Sequence, residues 1–303
     1  MTSLKIALDW TPNANHIGFF IAQELGYYTK EEVAVEIIDP SQDNYQLTPA
    51  KKVELGQVDL ALCPLESVMS YQTKSKAFDL VAIAALFQED LSAIACKSGI
   101  GISSPKDLDH TTYASYKARY EDAIVKQMIK NDGGKGIIEC VYPDKLGIWE
   151  TIEKDQVQAT WIFTNWEGVQ AAQQNTELIL FQLKDYGIPY SYSPVISCSE
   201  HTVSNKEVAL KSFLNATKKG FFYAQEHPEK AAEILKALVP EKDKNMDLQK
   251  SIILTCSVLG DKQHWGQMNS DGIHNFLTWL QDQKLENHNL KATSLFTNTL
   301  LSR

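Results

Sequence analysis

Two hydrophobic rhythms alternate along this chain. Short β-branched or fully apolar runs of four to seven residues are followed by stretches whose apolar positions recur every three or four residues, the signature of strand followed by helix. The runs Leu4–Leu8, Val33–Ile38 and Val58–Leu62 read as strands. Between them, Asn13 and Asn15 supply capping groups for a helix through Leu25 that stops at Gly26, Tyr45–Leu55 reads as a helix stopped by Gly56, and a helix starts at Pro64. Such βαβ repetition predicts an α/β fold with mostly parallel strands.

The rhythm changes at Leu80–Leu86 and Leu91–Cys96, two β-runs separated only by a short acidic turn, which read as paired strands at a crossover. Alternation then resumes with strands Thr111–Ser115, Ile137–Val141, Gln158–Phe163 and Glu177–Phe181, interleaved with helices Tyr120–Lys130, Leu146–Lys154 and Asn165–Gln173. One more β-run, Val195–Cys198, precedes an almost wholly helical tail: Asn205–Gln225, Pro228–Leu238, Asp247–Val258 and Gly272–Gln283. The expected organisation is two α/β lobes, residues 1–92 plus 194–303 and residues 93–193, joined by two crossover strands with a ligand cleft between them. In open α/β sheets ligands gather at the carboxyl ends of the strands, so the loops after Leu8, Leu62, Ser115 and Phe163 are the ones to examine.

Composition narrows the partners. With 29 basic and 38 acidic side chains in 303 residues, the net charge of −9 repels nucleic-acid phosphates and anionic membrane surfaces. No apolar stretch approaches the roughly 20 residues of a membrane span. The five cysteines are scattered singly, without metal-ligand spacing, and read as buried thiols. No His or Cys pattern supports a metal, and no motif calls for a cofactor. The first ten residues lack a basic segment followed by an apolar core, so the chain as it stands reads as cytoplasmic. Removal of a signal peptide would make it periplasmic or lipid-anchored instead.

Five segments carry candidate chemistry. Asp9-Trp10-Thr11-Pro12-Asn13-Ala14-Asn15-His16 puts a stacking ring, Trp10, and the polar groups of Asn13 and His16 after the first strand. Helix capping with Trp10 as a core anchor is the competing reading. Asn165-Trp166-Glu167 follows the Gln158–Phe163 strand. There Glu167 either accepts from a ligand amino group or only favours the helix dipole, with Asn165 as N-cap. Glu66 and Ser67 line the third strand-to-helix loop or cap its helix. Tyr116 lies in a loop with Lys117 and Arg119, whose cations suit a phosphate or carboxylate. Tyr186 and Tyr190 either wall a flat ligand or pack the return crossover.

The run from Leu8 to Ala22 with Leu25-Gly26-Tyr27-Tyr28, the segment Thr164-Asn165-Trp166-Glu167-Gly168-Val169 and the segment Asp185-Tyr186-Gly187-Ile188-Pro189 together resemble the thiamine-pyrimidine binding and synthesis family, NMT1/THI5-like. The resemblance spans about residues 4 to 270. It implies the two-lobed type II periplasmic-binding-protein fold and a thiamine-related aminopyrimidine ligand, of the formylaminopyrimidine or hydroxymethylpyrimidine kind. A binding protein of this family that is exported works with an ABC permease. The family's synthases, the alternative, require a Lys and a His in the loop matching Cys63 to Ser67 and a cysteine cluster near Val195–Ser199. This chain has neither, and its 115–121 loop also lacks the Gly and Pro of the binding proteins. The resemblance therefore implies a binder more than an enzyme.

Overall fold

The computed structural model describes residues 1–301. Ten strands are present among them: β1 (Thr2–Ala7), β2 (Val33–Ile38), β3 (Leu60–Cys63), β4 (Leu80–Ala85), β5 (Ser92–Lys97), β6 (Thr112–Ala114), β7 (Glu139–Val141), β8 (Ala159–Phe163), β9 (Leu178–Phe181) and β10 (Val195–Ser199). They form two five-stranded sheets, ordered β2-β1-β3-β10-β4 and β7-β6-β8-β5-β9. The chain divides into two compact units. The first comprises Met1–Asp90, Ser191–His274 and His288–Arg303, and the second Leu91–Tyr190 with Asn275–Asn287.

In the first unit, β1 is parallel to β2 and β3, so the chain leaves β1 and β3 at the same end of the sheet. Strand β10 runs antiparallel between β3 and β4, with a register shift between Ile196 and Ser197. β3 and β4 are buried along their whole length, which explains their unbroken apolar runs. The helices Ile17–Glu24 and Glu207–Glu226 cross closely enough that a Cβ on Gly220 would stand 2.0 Å from the Gly18 carbonyl oxygen, and a Cβ on Gly18 would meet the Phe221 ring at 2.2 Å. Phe19 stacks on Phe213 beside that contact, and Phe213 stacks on Tyr28.

In the second unit, β6 is parallel to β7 and β8, while β5 is antiparallel to β8 and β9. Helix Glu121–Asn131 follows β6 and helix Glu167–Gln173 follows β8. Ala114, Ile148, Ile152 and Val157 form a small core on which Tyr116, Val141 and Trp149 pack.

Three expectations need correction. The helix expected over Tyr45–Leu55 begins only at Pro49, because Asn44 and Tyr45 take left-handed φ values of 52° and 57°. Thr48 then caps a new start with Pro49 in its first turn. β4 and β5 do not pair with each other but lie in different sheets. The tail helix expected over Asn205–Gln225 is present as Glu207–Glu226, and a short helix, Glu200–Asn205, capped by Ser199, precedes it. Asn165 is not an N-cap, since the helix it precedes starts at Glu167 with Trp166 in the cap position.

Candidate functional site

The first unit gathers polar groups where β1 and β3 end. Asn13 caps the turn Ala14–His16: its side chain accepts the Asn15 N–H at 2.8 Å, and its own N–H donates to His16 Nδ1 at 3.3 Å. A backbone N–H can only donate, so Nδ1 is the unprotonated nitrogen and the ring carries its proton on Nε2. That Nε2–H meets Asp9 Oδ1 at 2.8 Å, with His16 fully buried and the Asp9 side chain 19% exposed. Tyr45 donates its hydroxyl to the Asp9 carbonyl at 2.6 Å, and its ring tilts against Trp10 with centroids 6.1 Å apart. Burial, then the neighbouring Asp9, pushes the Tyr45 phenol far above its ordinary range, so it stays a hydrogen-bond donor.

The loop after β3 lies at the same end. Cys63 Sγ is 3.3 Å from Ser197 Oγ, and burial pushes its thiol up to about 12, Asp9 adding to the rise. Glu66 is buried in the first turn of helix Leu65–Thr73, and the half-buried Ser67 anchors that turn through its N–H to the Pro64 carbonyl. Trp10, Asn13, His16, Glu66 and Ser67 are thus brought to one end of one sheet. Asp9 and Tyr45 join them, although the sequence did not single them out. Asp9 was legible as the residue preceding Trp10 at a strand end. Tyr45 arrives from 36 residues away through the left-handed turn that the helical pattern concealed.

The second unit makes its own cluster where β6 and β8 end. Tyr116 packs on the small core, and its N–H donates to Glu121 Oε1 at 3.1 Å. Glu121, also passed over in the sequence, is 3% exposed and accepts two further bonds. These come from the Tyr113 hydroxyl to Oε1 at 2.8 Å and from the Ala118 N–H to Oε2 at 3.1 Å. Burial raises its carboxyl above the ordinary 4.5, while those three donors pull it back toward the ionised form. Glu167 folds over the end of β8, its Oε2 accepting the Phe163 N–H at 3.0 Å, with Asn165 and Trp166 buried beside it in the chain. Tyr190 sits edge-on between Trp161 and Phe276, at centroid distances of 5.2 and 5.3 Å. Tyr186 lies elsewhere. Its carbonyl accepts from the Asn131 side chain, at the far end of the helix that Glu121 begins, roughly 15 Å along the axis at 1.5 Å per residue.

Neither cluster resembles a metal centre: among the described residues no three His, Cys, Asp or Glu side chains converge. All five cysteines are free thiols, and burial raises each of them, to between about 11 and about 12, so they remain protonated at neutral pH. No helix among the described residues is long and apolar enough to cross a membrane.

Comparison with known proteins defines the class first. A solved Candida albicans gene product, described as exhibiting the generic periplasmic binding protein structural fold, matches with a TM-score of 0.73 at 14% identity, over 99% of this chain and 97% of its own. The architecture is accordingly the type II periplasmic-binding-protein fold. The chain belongs to the NMT1/THI5 like family, whose model matches residues 13–231. Among curated relatives, the formylaminopyrimidine-binding protein of Halalkalibacterium halodurans is 26% identical over 293 residues, covering 92% of this chain and 85% of that one. A 4-amino-5-hydroxymethyl-2-methylpyrimidine phosphate synthase of Legionella pneumophila is 25% identical over 248 residues, covering 80% and 76%.

Proposed function

We propose that the protein is a binding protein for a thiamine-related aminopyrimidine, of the formylaminopyrimidine or hydroxymethylpyrimidine kind. The observation carrying this reading is the match, over 92% of the chain, to a relative named for that ligand class. The site chemistry supports it. Asp9 beside Trp10 and Tyr45, and Glu167 beside Asn165 and Trp166, combine carboxylates with aromatic rings at strand ends. An aminopyrimidine needs such partners, since it offers a flat π face and an amino donor. Binding asks for no reactive group, and the protonated thiols provide none.

Titration with formylaminopyrimidine and hydroxymethylpyrimidine should quench tryptophan fluorescence and raise the melting temperature. No response to either compound sinks the reading. Glu167→Gln should weaken binding by about tenfold or more, the scale of one charge-assisted hydrogen bond. Rescue of a strain unable to make the thiamine pyrimidine would favour the synthase alternative. Two cellular settings fit the same site: capture inside the cytoplasm, or capture outside it with an ABC permease as partner. Fractionation of the native cells separates them, the permease partner following only from an extracytoplasmic location.

A further inference from the structure

We propose that the 115–120 loop selects a ligand without a phosphate group, Glu121 being the specificity-determining residue that bars the phosphate ester. The inference rests on the aminopyrimidine reading. A loop that leads from a parallel strand into a helix N-terminus ordinarily turns its backbone N–H groups toward an anionic ligand. Here those donors face inward. The Tyr116 and Ala118 N–H groups are bonded to the two oxygens of Glu121, and the Lys117 N–H donates to Ser115 Oγ at 2.9 Å. Lys117 takes a left-handed φ of 60° in that turn. The buried Glu121 carboxylate therefore stands where an anion would be held.

The cations in and around the loop are engaged as well. Arg119 Nη2 reaches Glu286 Oε2 at 2.6 Å, and the Glu286 side chain is fully buried and also accepts the Tyr120 hydroxyl at 2.5 Å. The Lys145 ammonium is near enough to Glu121 to feel its charge. The Lys117 ammonium lies 5.3 Å from the centroid of the Tyr142 ring, whose hydroxyl donates to Asp122. Asp122 also accepts from Ser115. Arg119 is thus paired with the buried Glu286, Lys145 feels the charge of Glu121, and Lys117 lies over the ring whose hydroxyl donates to Asp122. A phosphate, carrying about 1.5 to 2 negative charges, would meet carboxylates and occupied donors. A neutral hydroxymethyl or formylamino group meets neither obstacle.

Calorimetry on the full chain with hydroxymethylpyrimidine, its phosphate monoester and inorganic phosphate tests this. The alcohol should bind at least about 100-fold more tightly than the ester, a like-charge penalty of ordinary size. Glu121→Gln removes the charge and turns an amide nitrogen toward the Ala118 N–H. It should narrow the ratio about tenfold and create measurable affinity for inorganic phosphate. Tyr113→Phe, which deletes one bond to the carboxylate but keeps its charge, should leave the ratio unchanged. An ester that binds wild type as well as the alcohol, or a ratio that falls equally in Tyr113→Phe, overturns the proposal. If neither pyrimidine binds, the ligand reading fails by itself, and the phosphate arm still decides the loop. Inorganic phosphate binding wild type as tightly as Glu121→Gln overturns it, and binding only to the variant supports it.

Discussion

The loops after β1 and β6 each leave the carboxyl end of a parallel strand, yet opposite chemistry fixes them. The first is tied by a neutral ring: His16 accepts the Asn13 N–H on one nitrogen and donates a hydrogen bond to Asp9 from the other. The second is tied by a carboxylate, Glu121, which takes two loop N–H groups and a phenol. A loop held by a neutral ring leaves its carboxylate, Asp9, part-exposed and ready to meet a donor. A loop held by its own buried carboxylate already uses it internally. Anchor type therefore bears on what each loop can recognise, as well as on how firmly it is held.

The largest effect should come from the scaffold beneath the first loop. Gly220→Ala forces a methyl into the Gly18 backbone, which cannot rotate aside as a side chain would, and should cost about 3 kcal/mol. Hydrogen exchange read peptide by peptide should accelerate in residues 17–24 and 207–226 while residues 121–131 hold their protection. Equal loss in both units would mean that the two loops share one cooperative scaffold, and the contrast would dissolve. Next comes Glu286→Ala, which removes the buried acceptor of the Arg119 guanidinium and the Tyr120 hydroxyl. Breaking a buried pair costs up to several kcal/mol, but Arg119 is 31% exposed and water recovers part of that, leaving about 2 kcal/mol. The 115–121 segment should exchange faster, with the loop after β1 unaffected.

The architecture was legible because strand rhythm survives without tertiary knowledge. All ten strands were expected, from β2 at its observed bounds to β3, displaced by one or two residues. Helix boundaries failed where backbone conformation overrode periodicity. The Asn44–Tyr45 left-handed pair broke an apparent helix whose true start was written in Thr48-Pro49. The site was half legible. Trp10, Asn13 and His16 were visible as a local motif, and Asn13 and His16 proved to be bonded to one another. Glu121 and Glu286 were not: helix-start carboxylates are common in any sequence, and the Arg119–Glu286 pair closes across 167 residues. No local pattern encodes a partner that distant.

His16→Phe keeps the ring volume but leaves the buried Asn13 N–H without its acceptor and Asp9 without its donor, for about 1.5 kcal/mol. If the loop after β1 is held as described, aminopyrimidine affinity should fall with stability, because Asp9 loses its orientation. Unchanged affinity in a destabilised variant would reduce His16 to a packing residue.

The smallest effect, and the sharpest on the contrast, is in pH. Burial raises the folded Glu121 carboxyl above 4.5, so the fold favours its protonated form. Its contribution to stability is full below 4.5 and is lost as pH rises through the raised value. Wild type should therefore gain on Glu121→Gln as pH falls toward 4.5, read as the difference of the two melting temperatures at each pH. Asp107 and Asp109, held low by backbone donors, are common to both proteins and cancel in that difference. A difference that instead grows with rising pH would show the three donated hydrogen bonds outweighing burial. The loop after β6 would then be held by an ionised anchor throughout, and its difference from the neutral anchor of His16 would be larger than burial alone suggests.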